Sequence, residues 1–178
     1  MGQGDDTTAQ RLRLLQTEFL QPGSRGPGDG RSATRTTSPA PLHLGILDHL
    51  TASVTEVVDH VHAEVPDAGR YRGTIDGVYD WMRDHTEDLA PERQNVREAL
   101  IYRQGLEHAI AAGNTKVIRP HRCPACRTLG LMWREQAGHA ACTNRRCVDE
   151  HGLSRTWSLA RLAQQHIADQ KLRAVGTT

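Results

Sequence analysis

The chain has few aromatic residues and no long hydrophobic segment. Aromatic side chains make up 4% of its 178 residues and hydrophobic ones 37%, so a single large core is not expected. No apolar run approaches the roughly 20 residues that a bilayer-spanning helix requires. These shortages favour one or two small domains and argue against a transmembrane protein.

Targeting and catalytic motifs are also missing. The chain begins Met-Gly-Gln-Gly-Asp-Asp, without the basic and apolar segments of a secretory signal, so we expect a reducing cytoplasm. There is no glycine-rich phosphate loop, no nucleophile elbow and no helical His-Glu-x-x-His motif. We therefore expect a protein that is not an enzyme and that takes no evident small-molecule substrate.

Charge is distributed unevenly, although the net charge is only +1. Residues 1–113 contain eleven arginines and seventeen acidic residues, whereas residues 114–178 contain eleven basic and four acidic residues. This division predicts an acidic module and a basic module that have different partners or that attract each other.

Four cysteines form two close pairs, Cys123 with Cys126 and Cys142 with Cys147, separated by fifteen residues. Two thiol pairs on turns, joined by a segment long enough for a β-hairpin, are typical of a tetrahedral structural zinc site. Two disulfides, a redox-active pair, or another metal or cluster are the alternatives. A reducing compartment disfavours disulfides, and a redox pair would precede a helix. We expect Zn²⁺ bound by all four thiolates.

Hydrophobic periodicity divides the remaining chain. We predict a short docking helix within residues 1–20, helical from residue 7, and a flexible Gly/Pro-rich linker over 21–41. Such a short helix is marginal alone, so it should dock on this chain or on another. Residues 42–113 should form an acidic three-helix bundle, and 114–178 a basic zinc-ribbon module with a C-terminal helix. The predicted bundle helices cover 42–65, 75–89 (capped by Thr74) and 91–113.

The basic module shows strand patterns. Strands are predicted at 116–119, 129–135, 139–142 and 154–157, with a hairpin turn at 136–138. Ser158 should cap a final helix over 159–174. The fold class is therefore mainly α with a small β zinc ribbon.

The sequence Cys-Pro-Ala-Cys, a hairpin, Cys-x₄-Cys and a Trp-Ser-Leu helix start resemble a zinc ribbon over residues 117–165. The Cys-x-Asn-x-x-Cys form, with Asn144 free to adopt a left-handed turn, is similar to that of uncharacterised proteins of actinobacterial phages and prophages. The resemblance implies a β-hairpin around zinc that binds nucleic acid or protein. For a phage-encoded chain it also implies the host cytoplasm or the virion as location.

Arginines and tryptophans surround the cysteines. Guanidinium groups can hold phosphates and an exposed indole can stack on a base; alternatively, the arginines are solvating charges and the indoles cover a small core. The candidate nucleic-acid-binding residues are Arg119, Arg122, Arg127, Trp133, Arg134, Arg145, Arg146 and Arg155.

The histidines indicate a metal or catalytic site less clearly than the cysteines do. His49 and His60 share a helical face with Glu56, opposite the valine stripe, which is typical of a solvated surface. His121 and His139 flank the cysteines and could replace a ligand. A zinc deaminase pattern, His62-x-Glu64 with Cys-x-x-Cys, fails because proline does not precede Cys123 and four cysteines close the coordination sphere.

Two functions follow from these patterns. In the first, a non-enzymatic zinc-binding protein contacts nucleic acid through its basic ribbon while the helical module engages a protein. In the second, the chain is a phage or prophage structural or assembly protein whose zinc ribbon only stabilises, with self-assembly through helices. No membrane partner is expected.

Overall fold

A computed structural model describes residues 3–20 and 44–175, so the predicted linker 21–41 lies outside the described residues. The predicted mainly helical fold with a small β ribbon is confirmed. Within the described residues, no helix is long and apolar enough to cross a bilayer. The helices are α1 (Gln3–Leu20), α2 (Leu44–Glu64), α3 (Val78–His85), α4 (Pro91–Ala111) and α5 (Leu159–Val175), and the strands are β1 (Leu131–Arg134), β2 (His139–Cys142) and β3 (Thr156–Trp157).

The first core lies between α1, α2, α3 and α4. Because α2 repeats apolar residues every three or four positions, one of its faces is buried. All four helices contribute side chains that are at most 2% exposed. These residues are Leu12, Leu15, Leu50, Val57, Val61, Val78, Tyr79, Met82 and Ile101.

Helix α1 docks on α4 of its own chain, which decides between the two docking alternatives. Gly105 permits the close approach, because a Cβ there would lie 2.5 Å from Oγ1 of Thr8. The Arg11 guanidinium donates to the Gly105 carbonyl at 2.8 Å, and Arg13 forms an ion pair with Asp76. The bundle therefore includes α1 as a fourth helix.

A second core connects the helices to the ribbon. Leu106 of α4, Ile118, Leu131 of β1 and Leu162 of α5 are each at most 2% exposed and pack together with the cysteines. Helix α4 thus contributes to both cores, with Ile101 in the first. The basic module is supported by the bundle through this shared helix.

Two predicted elements were wrong. The strand over 116–119 is a 3₁₀ helix at Thr115–Ile118, because the sheet offers this segment no partner strand and the turn instead buries Ile118. The helix predicted over 75–89 is a 3₁₀ turn at Ile75–Gly77 followed by α3, which ends at His85. Thr74 makes no side-chain cap there.

Thr86 explains the early end of α3. Its side chain is fully buried, and its hydroxyl donates to the Met82 carbonyl at 2.6 Å. Arg97 donates to both the carbonyl and the hydroxyl oxygen of Thr86, at 3.1 and 3.0 Å. These contacts satisfy the helix end and direct the chain into α4.

The antiparallel sheet has the order β1-β2-β3. Trp133 pairs with Ala140, which in turn pairs with Trp157, so both indoles lie on one face of the sheet. The hairpin turn includes Gly138 at φ 63°, a backbone conformation that glycine adopts without strain. The predicted cap is confirmed, since the Ser158 hydroxyl accepts the Arg161 N–H at 3.2 Å.

Candidate metal centre and basic surface

The four cysteines converge at one point beside the second core. Cys123 and Cys126 belong to the turn before β1, Cys142 ends β2, and Cys147 follows the next turn. All four Sγ atoms lie within 4.8 Å of one another. Among the described residues, this cluster alone brings together three or more potential metal ligands of the His, Cys, Asp and Glu types.

The sulfur spacing fits a metal ion rather than disulfides. Sγ of Cys123 lies 3.7 Å from Sγ of Cys147, and Sγ of Cys126 lies 3.6 Å from Sγ of Cys142. Four thiolates at about 2.3 Å from one ion stand about 3.8 Å apart in a regular tetrahedron. A disulfide would need about 2.05 Å, and all four cysteines are free. The cluster can therefore hold a metal ion with four sulfur ligands.

Each thiol pair is shaped by a backbone amide that points at its sulfur. The N–H of Thr128 donates to Cys126, and the N–H of Asn144 donates to Cys142, in each case two residues after the ligand. Such donors stabilise thiolates and orient metal ligands.

The left-handed residue at this site is Arg127, at φ 60°, in the first turn. The expectation of a left-handed Asn144 was wrong, because no other non-glycine residue among those described has a positive φ. Asn144 instead acts through its side chain, whose Oδ1 accepts the Arg146 N–H at 3.0 Å. The hydrogen-bonding side chain makes a left-handed backbone unnecessary at this position.

The thiols differ in acidity in the metal-free cluster. Hydrogen bonds from Thr128 lower the pKa of Cys126 to about 6. Burial raises the pKa of Cys147 to about 12 and also raises the pKa of Cys142. Neighbouring thiols with raised pKa values become thiolates only when a positive charge compensates their negative charges. A bound cation supplies that charge and replaces the thiol protons.

Neither flanking histidine joins the cluster. The His121 Nε2 lies 2.9 Å from the Tyr102 hydroxyl, and the His121 Nδ1 lies 3.1 Å from the Ile118 carbonyl. The His139 Nδ1 lies 2.9 Å from the Ala137 carbonyl. Both rings therefore serve local structure.

All seven predicted arginines are exposed on the ribbon, but their contacts differ. Arg122 donates to the Arg127 carbonyl and Arg155 to the Val148 carbonyl, while Arg127 pairs with both carboxylate oxygens of Asp169. The other four make no side-chain hydrogen bond or ion pair with any residue that the structure describes: Arg119, Arg134, Arg145 and Arg146.

Five arginines of the bundle, in contrast, pair with acidic side chains. Arg103 contacts both Glu56 and Glu107, and four further arginines pair with acids, as Arg13–Asp76, Arg83–Glu98, Arg93–Glu64 and Arg97–Glu98. The positive charge of these side chains is largely compensated. The ribbon surface therefore carries most of the uncompensated positive charge among these arginines.

Trp133 and Trp157 are half-buried and pack against the second core. The Nε1 of Trp157 is inaccessible to solvent and has no hydrogen-bond partner. The structure thus brings these tryptophans together with the cysteines of the metal cluster on the inner face of the sheet.

A buried polar network occupies the bundle, and sequence reasoning missed it. His49 was expected on a solvated face, but its Nε2 lies 2.9 Å from Nδ1 of the fully buried His108. The other His108 nitrogen lies 2.8 Å from the Tyr79 hydroxyl, which donates to Gln104 at 2.7 Å. Glu56 does lie at the surface, where Gln104 donates to its carboxylate at 2.9 Å. The network thus links side chains of α2, α3 and α4 through hydrogen bonds.

A groove of about 670 Å³ lies along α4 and α5. Val96 of α4 and Leu172 of α5 line it and are 58% and 72% exposed. The two helices meet in the second core, to which α4 contributes Leu106 and α5 contributes Leu162, whereas Val96 and Leu172 lie outside that core.

Comparison with known proteins finds no matching family model, no significantly similar curated protein and no significantly similar solved structure. The class of the site therefore rests on its own geometry, which is that of a zinc-ribbon-like four-cysteine cluster beside a small antiparallel sheet.

Proposed function

We propose that the chain is a non-enzymatic zinc-binding protein that contacts nucleic acid through its basic ribbon, while its helical module engages a protein. The observation that carries this proposal is the contrast in arginine pairing. Five bundle arginines are paired with acids, whereas Arg119, Arg134, Arg145 and Arg146 of the ribbon present uncompensated guanidinium groups. Unpaired arginines clustered on one module are the electrostatic pattern that phosphate backbones select.

Zinc is the ion that this donor set favours. Four thiolates in a tetrahedron suit zinc in a reducing compartment and leave no open position for water or substrate. Cys123, Cys126, Cys142 and Cys147 would hold the ion. Its role would be to fix the fold of the ribbon, because a segment of this size has little core of its own.

A non-enzymatic role has further support from the bundle interior. The His49, His108 and Tyr79 side chains hydrogen-bond to one another rather than facing a cleft. Hydrogen bonding among buried polar groups is what a purely structural role requires.

The test is binding of the metal-loaded full chain to nucleic acid, measured by fluorescence anisotropy. Affinity should fall steeply with salt, with a slope near −0.9 per phosphate contacted on duplex DNA. Substituting Arg119 and Arg134 by Ala should weaken binding. Substituting Arg70 and Arg72, two exposed arginines of the bundle, by Ala removes the same charge and is the control. No measurable affinity for duplex or single strands at ~50 mM salt would refute the proposal.

A second candidate is a phage or prophage structural or assembly protein whose ribbon only stabilises. The observation that favours it is the apolar groove between α4 and α5, where Val96 and Leu172 are exposed, since exposed apolar patches are typical of protein contacts. A chain that remained monomeric and was absent from particles made by its parent genome would exclude this candidate.

A further inference from the structure

The turn between the last two cysteines is held at both ends. The Cys147 N–H donates to the Asn144 carbonyl at 2.8 Å, which closes a β-turn with Arg145 and Arg146 at its two central positions. The Asn144 Oδ1 accepts the Arg146 N–H at 3.0 Å. Because Cys142 and Cys147 both belong to the metal cluster, the turn is anchored on each side.

The two central side chains are exposed and make no contact within the described residues that would compensate their charge. A fixed backbone that presents two adjacent guanidinium groups loses little conformational entropy when it binds phosphate. The turn is therefore a preorganised site for anionic oxygens.

The same structure lacks a stacking platform beside this turn. Trp133 and Trp157 lie on the inner face of the sheet against the second core. Tyr102 stacks on His166, with ring centroids 3.9 Å apart and an interplanar angle of 7°. Proteins that bind single strands without sequence preference stack bases on exposed aromatic rings, and the described ribbon surface offers none.

We propose that the turn formed by residues 142–147 binds duplex DNA, with Arg145 and Arg146 contacting the phosphates that border one groove. This inference rests on the proposed nucleic-acid function and specifies its ligand. The phosphates of a duplex have a regular spacing that a rigid turn can match, whereas a single strand is held mainly by stacking. Duplex RNA has a deep, narrow major groove and a wide, shallow minor groove, so the phosphates that border its grooves are spaced differently from those of duplex DNA.

The experiment compares three probes on the metal-loaded full chain: a DNA duplex of about 20 base pairs, one of its single strands and the matching RNA duplex, each at ~50 mM salt. The wild-type chain should bind duplex DNA at least about tenfold more tightly than the other two probes. Equal or tighter binding to the single strand or to the RNA duplex would overturn the inference.

The variant Arg145→Ala/Arg146→Ala should lower duplex affinity by about tenfold or more and reduce the salt slope by about 1.8, since two phosphate contacts are lost. Arg70→Ala/Arg72→Ala removes the same charge from the exposed surface of the bundle and should change affinity less than about twofold. Arg145→Lys/Arg146→Lys should retain most of the affinity, because the charge remains. Metal content of each variant verifies that the ribbon is folded.

The outcomes separate the two proposals. Duplex affinity that is unchanged in Arg145→Ala/Arg146→Ala would overturn the assignment of the turn and leave the nucleic-acid function standing. No binding of any probe by the wild-type chain would remove the proposed function, and this inference with it.

Discussion

The Tyr79 hydroxyl and the Nε2 of His108 lie 2.8 Å apart at the centre of the bundle, where both side chains are at most 1% exposed. Tyr79 donates its proton to Gln104, so its oxygen must accept from the Nε2–H of His108. The His108 Nδ1 then accepts from Nε2–H of His49. The hydrogen bonds therefore all donate in the same direction. His49 on α2 donates to His108 on α4, His108 donates to Tyr79 on α3, and Tyr79 donates to Gln104 on α4.

The substitution Tyr79→Phe tests the cost of opening this network. It leaves the Gln104 Oε1 and the His108 Nε2 without a partner in a site that water does not reach, which should lower the free energy of unfolding by about 1–3 kcal/mol. Tyr71→Phe is the matched control, because the Tyr71 hydroxyl donates to the Thr74 carbonyl in an exposed loop. Urea denaturation of the metal-loaded chain measures both. Equal losses in the two variants would contradict this role for the network.

Acidification should destabilise the bundle through His108. Burial, with smaller contributions from His49, Arg11 and Arg103, lowers the pKa of His108 to about 3, and burial also lowers the pKa of His49. The unfolded chain binds the proton near pH 6.5 and the folded chain does not. The stabilisation is therefore complete above about pH 6.5 and is lost as the pH falls toward 3, by up to about 1.4 kcal/mol per pH unit.

NMR of the His108 ring measures this directly. Its Cε1–H signal should not shift between pH 7.5 and 5, unlike the signal of a histidine in an unfolded chain, whose pKa is about 6.5. A shift with an ordinary midpoint would show that His108 is protonated in the folded state.

The substitution Gly105→Ala tests whether α1 packs closely against Gly105 of α4. The new Cβ would lie 2.5 Å from the Thr8 Oγ1, so the buried Thr8 side chain must shift and α1 with it where no other rotamer fits. The expected cost of about 1–3 kcal/mol exceeds the gain of up to about 1 kcal/mol from replacing glycine within a helix. Amide hydrogen exchange over residues 8–17 should become faster. Adding Thr8→Ala should restore protection, and Thr8→Ala alone is the control. Unchanged protection in Gly105→Ala would mean that α1 is not seated against this glycine.

Cys126→Ser tests the metal as the source of folding free energy for the ribbon. Loss of one thiolate should release the ion and remove hydrogen-exchange protection from β1, β2 and β3, since a structural zinc site contributes about 10 kcal/mol or more. Helices α2 and α3 should keep their protection, while α4 should lose some near Leu106, which packs in the second core. Thr156→Ser is the control on the same sheet. A ribbon that stays protected without an ion would refute this role.

Much of the architecture follows from local sequence patterns. The spacing of apolar residues in α2, the first-turn proline of α4 and the Ser158 cap each act within one turn of helix, so they predict these elements correctly. The metal cluster is equally predictable, because four cysteines in two close pairs, separated by a segment long enough for a β-hairpin, have the spacing of a metal site. The length of α3 was not predictable in this way, since Thr86 ends the helix through a contact with Arg97, eleven residues further along the chain.

The amino-acid sequence by itself determined the helical periods, the thiol pairs and the division of charge, because each depends on residue types at short spacing. Tertiary structure alone decided which arginines are paired, that the indoles of Trp133 and Trp157 face inward, and that His49 reaches His108. These features depend on which side chains meet across different helices and strands. Short-range patterns do not encode such meetings, because they follow from how whole elements pack.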